Sequence, residues 1–255
     1  MAVALAVFAH PDDMELVAAG TLLRLRGAGY EVHCIAVANG CCGSSVHGRE
    51  ELVDLRRAEA QEACDLAGFT RHESLVDDFE VFYESRTLAR LAALVRQVAP
   101  EVLLTHSPTD YMEDHVNAGR LAVSAAFVRG MRNLPTDPKT PPVGGPVTVY
   151  HAQPHGNRDP LGAEVRPTHF VDVGGEVFER KAAMLACHRS QQQWLDESQT
   201  LGSPLETMRE WTREVGAWSG RFEHAEGWRR RLTLGFCPPD ADPLVTALPS
   251  SCLRR

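Results

Sequence analysis

At 255 residues, 44% of them hydrophobic and 24% charged, the chain has the composition of a soluble globular protein with room for one sizeable α/β core. A formal net charge of -8 argues against a nonspecific nucleic-acid binder, and no apolar stretch approaches the roughly 20 residues that span a bilayer. Seven cysteines without a Cys-x-x-Cys pair read as reduced thiols, and the opening residues lack the basic start of a signal peptide, so a cytoplasmic location is expected.

The first apolar run, residues 2–9, has the length of a buried strand and stops at Pro11, which leaves His10, Asp12 and Asp13 at its carboxyl end. That is where open α/β sheets bind ligands. His10 and Asp13, three positions apart, can converge on one divalent ion, with Asp12 left free to take a proton from water. The same triplet also suits an ordinary turn. Residues 14–26 carry helical spacing and close at Gly27 and Gly29; 31–38 read as a strand ending at Asn39-Gly40. A helix over 50–66 stops at Gly68, a short strand near 74–76 ends at Asp77-Asp78, and a helix over 86–98 closes before Pro100.

Residues 101–105 read as another buried strand, followed by HSPTDYMEDH and a helix over 116–129, so His115 lies at a helix start just beyond a strand end. It completes a three-ligand set with His10 and Asp13 that keeps one position open for water. Asp114 suits either a hydrogen bond to a ligand imidazole or the first turn of a helix. Residues 131–146, with five prolines, are a loop that reads as a surface connection or a lid. Strands at VTVYHAQ (147–153) and THFVDV (168–173) follow, then helices over 175–192 and 204–217. Repeated strand-helix order predicts a mostly parallel, Rossmann-like sheet with helices on both faces, in a single domain over 1–235. The tail, 236–255, carries no clear element.

The AHPDD segment, the Asp114-His115 pair before a helix, and the segments NGCCGS, LRRAEAQEACDLAG, PHGNRDPLG and KAAMLACHRSQ, in this order, resemble the PIG-L/LmbE-like family of zinc-dependent N-deacetylases over roughly residues 3–235. The resemblance implies hydrolysis of an acetamide on an N-acetylglucosamine-type sugar or conjugate. It makes His10, Asp13 and His115 the ligands of one Zn2+ and Asp12 the general base. It also gives Arg56 and Asp78 a place in binding substrate oxygens, and it leaves a homo-oligomer open, since relatives often associate.

One departure stands out. Many relatives carry a histidine where this chain has Met112, and a thioether cannot donate a proton. His155, after the strand-like VTVYHAQ, is the candidate to fill that role. Arg56 and Glu59, three apart on one helix, could instead pair with each other. His188 reads as a structural histidine, and Trp194, Trp211, Trp218 and Trp228 suit a sugar platform, a core or a subunit contact. A cysteine nucleophile at Cys41 or Cys42 has no acid or base placed beside it by sequence. The chain contains no Gly-x-Ser-x-Gly and no Gly-x-Gly-x-x-Gly. An amidase for a different N-acyl group and a metal-binding protein without catalysis remain as alternatives.

Overall fold

The computed structural model describes residues 1–191, 194 and 203–255. Its strands are β1 (Val3–Phe8), β2 (Glu31–Ala36), β3 (Thr70–His72), β4 (Val102–Thr105), β5 (Thr148–Ala152), β6 (His169–Asp172), β7 (Ala225–Arg230) and β8 (Cys252–Arg254). They form one sheet in the order β3-β2-β1-β4-β5-β7-β6-β8. From β3 to β5 every pairing is parallel, and β7, β6 and β8 extend the sheet with antiparallel pairings. The helices are α1 (Asp13–Val17), α2 (Ala19–Gly27), α3 (Arg49–Ala67), α4 (Ser85–Val98), α5 (Glu113–Val128), α6 (Glu176–Leu185), α7 (Pro204–Ser219) and α8 (Pro243–Ala247).

Alternation along β1 divides the core between the two faces of the sheet, as the period of a strand requires. Ala4, Ala6 and Phe8 pack with Leu22 and Leu25 of α2, Cys64 of α3 and Phe178 of α6. Leu5, Val7 and Ala9 pack with Leu91 and Val95 of α4 and Leu121 and Ala122 of α5. The expected mostly parallel sheet with helices on both faces is therefore the observed one. Among the described residues no helix is long and apolar enough to cross a membrane.

Several local expectations are corrected. The single helix expected over 14–26 is broken at Ala18 into α1 and α2. Its missing Gly20-to-Leu16 hydrogen bond is replaced from outside. Gly20 N donates to Glu226 Oε1 at 2.9 Å, and Leu16 O accepts from Lys181 Nζ at 3.0 Å. Lys181 and Glu226 are themselves paired at 2.6 Å, fully buried. The strand expected at 74–76 is only a bridge between Ala38 and Val76, and the true edge strand is the more polar β3. The C-terminal residues expected to lack an element form α8 and β8, the latter pairing with β6. The helix expected over 175–192 ends as α6 at Leu185, and its forecast last residue, 192, lies outside the described residues.

Candidate metal centre and cleft

Carboxyl ends of β1, β4 and β5 face one edge of the sheet, and the loops that leave them carry the candidate residues. After Phe8 the chain turns through Pro11, and Asp12 takes the left-handed conformation, φ 97°, unusual for a residue with a side chain. That turn starts α1 and fixes Asp13, whose Oδ2 accepts from the His10 backbone N–H at 2.7 Å. From β4 the loop 106–112 leads into α5, which holds Asp114 and His115 in its first turn. His155 follows β5 in a short 3-10 turn.

Three expected ligand groups meet. His10 Nδ1 lies 3.4 Å from Asp13 Oδ2, and His115 Nε2 lies 3.4 Å from Asp13 Oδ1. One ligand atom from each of the three residues falls within 4.8 Å of the others. The outward nitrogens are held as well: His10 Nε2 bonds Asp114 Oδ2 at 3.1 Å, and His115 Nδ1 bonds Asp110 Oδ1 at 2.9 Å. Two imidazoles, each oriented by a carboxylate on its far side, and one carboxylate between them fit a divalent cation with an open position.

The charges follow from this packing. Burial works against a charged His10, yet the hydrogen bonds it donates to Asp114 and Asp13 push its ring up to about 10. Asp13 is held well below the usual carboxylate range, because the charge of His115, with a hydrogen bond from His10, overcomes the cost of burial. His10 is thus paired as an imidazolium with the two carboxylates, and a bound ion would displace its proton.

Asp12 points elsewhere. Burial raises its carboxyl above the ordinary value despite the opposing charge of Arg56, whose guanidinium stands 3.4 Å from Asp12 Oδ2. Arg56 also donates to Pro11 O at 2.5 Å and to the Gln191 side chain. Gly40 makes room for it: a Cβ there would come within 2.5 Å of Arg56 Nε. The Arg56–Glu59 pair considered from sequence is not formed, since Glu59 turns to the Ser190 backbone at 2.8 Å and hydroxyl at 2.6 Å. The segment around 188–191 covers that helix face and supplies both with other partners.

His155 lies beside these groups, with Nε2 3.5 Å from Asp13 Oδ1, buried and without a hydrogen-bond partner. Burial, reinforced by His115, brings its ring down to about 4, so it is neutral at ordinary pH. Asp78 lies on the rim, its two oxygens accepting from the backbone N–H groups of Gly40 at 2.7 Å and Cys42 at 2.8 Å. Both line a cleft of about 970 Å³, open mouth included, together with Phe79, Tyr111, Met112 and Trp211. Trp211 packs 5.2 Å from the His155 ring, whereas Trp228 is buried in the core and bonds Thr21. His188 is buried behind Asp12, 3.4 Å from Glu15.

Two residues here were not anticipated. Asp110 orients His115 and accepts from the His155 backbone N–H at 3.2 Å. His106, stacked on His115 at 4.3 Å, accepts the Ala9 N–H on Nε2 at 2.8 Å, so that its proton sits on Nδ1. Burial and the neighbouring His115 lower its pKa and keep it neutral. Both lie in the HSPTDYMEDH segment, and the only signal for them was their place between a strand end and a helix start.

Residues 5–126 match the family described as PIG-L: GlcNAc-PI de-N-acetylase. The chain is 31% identical over 197 residues to a 4-oxalmesaconate hydratase of Pseudomonas putida, covering 74% of each chain. It is 26% identical over 198 residues to a probable N-acetyl-alpha-D-glucosaminyl L-malate deacetylase of Bacillus cereus, covering 73% of this chain and 82% of that one. Its fold superposes with a TM-score of 0.73 on the crystal structure of the 4-carboxy-2-hydroxymuconate hydratase of Pseudomonas putida, at 26% identity, over 90% of this chain and 96% of that one.

Proposed function

Because the chain belongs to the PIG-L family, we propose that it is a zinc-dependent hydrolase that removes the N-acetyl group from an N-acetylglucosamine-type amino sugar or sugar conjugate. The observation that supports this most is the convergence of His10, Asp13 and His115, with the outer nitrogens of both rings held by Asp114 and Asp110. A divalent ion bound there would supply a Lewis acid and a more acidic water.

The remaining work falls to the chain's own groups. Asp12, whose carboxyl burial makes less acidic, accepts the proton of the attacking water and can carry it to the departing nitrogen. Arg56 holds that carboxylate in place. His155, neutral and unpartnered at Nε2, offers a hydrogen bond to the oxygen on which charge develops. It thereby takes over part of the task left open by Met112. Asp78 and the aromatic wall of Tyr111 and Trp211 receive the sugar.

A hydratase reading is favoured by the 31% likeness to the Pseudomonas putida protein. The charges of the cleft favour the amide instead. Among the described residues that line it, Arg56 is the one guanidinium or ammonium group, and Asp12, Pro11 and Gln191 already occupy it. Beyond the ion itself, a carboxylate-rich substrate finds little free positive charge there, whereas a neutral acetamido sugar needs none. Acetate release measured over a panel of N-acetyl, longer N-acyl and unsaturated carboxylate substrates, with and without chelator, separates these readings. Turnover of the unsaturated acids alone would overturn the deacetylase proposal.

A further inference from the structure

We infer that Cys41, Cys42 and Asp78 form a second metal site at the rim of the cleft, suited to a thiophilic divalent cation such as zinc or cadmium. Two loops make it. The residues after β2 carry the adjacent cysteines, and the residues after the Ala38–Val76 bridge bring Asp78 beside them.

Spacing is the first argument. The Sγ atoms of Cys41 and Cys42 are 3.6 Å apart. Two thiolates on one tetrahedral zinc, each about 2.3 Å from it, stand about 3.8 Å from one another, so the pair needs almost no adjustment. An oxygen of Asp78 lies within 4.8 Å of both sulfurs. The other close pair, Cys34 and Cys64, has its sulfurs 3.2 Å apart, tighter than shared tetrahedral ligation sets them, and is buried in the core.

Order and access are the second. Asp78 is fixed by the Gly40 and Cys42 N–H groups, and each of its oxygens keeps a free lone pair. Cys41 N donates to Asn39 Oδ1 at 3.1 Å, the Asn39 amide bonds Asp77 at 2.5 Å, and Asp77 is paired with Arg49. Gly40, at φ 80°, reverses the chain just before the cysteines. Cys41 is buried and Cys42 exposed, so an ion can enter from solvent and retain a water in its fourth position.

Occupied, this site would take Asp78 away from substrate, so that excess zinc inhibits; this consequence rests on the function proposed above, while the site itself does not. Cadmium titration of the full chain, read by bound ions per chain and by thiolate-to-cadmium charge-transfer absorption, tests it. The wild type should bind two ions and show the absorption. Cys41→Ser/Cys42→Ser should bind one and lose it, whereas His115→Ala should bind one and keep it. Absorption that survives in Cys41→Ser/Cys42→Ser, or disappears in Cys34→Ser/Cys64→Ser, overturns the site. Excess zinc should inhibit acetate release by the wild type and not by the double serine variant. Should no acetate be released by either protein, the deacetylase reading fails and the cadmium result still decides the site.

Discussion

Asp110 Oδ1 lies 2.9 Å from His115 Nδ1, on the side of the ring opposite Asp13. This bond selects the tautomer of His115 that presents the Nε2 lone pair to the centre of the site, and it makes the ring a stronger donor.

Asp110→Asn should therefore weaken divalent-ion binding by about 10- to 100-fold while leaving the fold intact. Competition with a chromophoric chelator measures the affinity, and circular dichroism checks the fold. Unchanged affinity would mean that Asp110 only ties down the His155 loop, whose backbone N–H it also accepts.

Asp12 and His115 should separate cleanly. Asp12→Ala is expected to keep the metal and to lose about 10²- to 10⁴-fold in kcat, the range for removing a general base. His115→Ala should lose both metal and turnover. Metal content and initial rates on the same preparations check the pair. Full activity in either variant contradicts the roles given to them.

Met112→His should raise kcat if proton delivery to the leaving nitrogen limits the rate. An unchanged kcat, measured beside a His155→Ala variant that falls, would show that His155 and Asp12 already suffice.

The pairing of these residues was largely legible in the chain. His10, Asp12 and Asp13 sit where an apolar run meets a proline, and His115 starts a periodic segment, so each could be assigned to a strand or helix end from local pattern alone. Asp110 could not be assigned, because in the irregular turn between β4 and α5 a spacing of five residues does not say which way a carboxylate points. The break at Ala18 was equally hidden: Glu226 and Lys181, which stand in for the missing helical bonds, come from β7 and α6. β7 itself, AEGWRR, shows no alternation of apolar and polar residues, and β8 is too short for a periodicity to register.

That hidden pair gives a stability test. In Lys181→Met, Glu226 keeps its bonds to Gly20 and Thr21 but loses its buried counter-charge, at an expected cost of about 3–5 kcal/mol in urea unfolding. Adding Glu226→Gln should recover part of it. A loss under about 1 kcal/mol for the single variant would show that the pair is dispensable.

A second titration lies away from the site. His72 Nε2 stands 2.9 Å from His33 Nδ1, and burial, followed by the charges of His33 and Arg71, lowers its pKa to about 4. The unfolded ring titrates near 6.5, so the stability that depends on neutral His72 is complete above that pH and is lost as pH falls from about 6.5 to about 4. His72→Asn should flatten this part of the pH profile by about 1 kcal/mol, less than the full shift because solvent screens the half-buried ring. An identical slope in both proteins would exclude His72 as the source.

The central claim is that the ion held by His10, Asp13 and His115 serves amide hydrolysis. Acetate release from N-acetylglucosamine conjugates should disappear with chelator, return on adding one equivalent of zinc, and be absent in His115→Ala at any zinc concentration. A zinc-loaded wild type that releases no acetate from any of these conjugates, or a chelated one that still does, would contradict it.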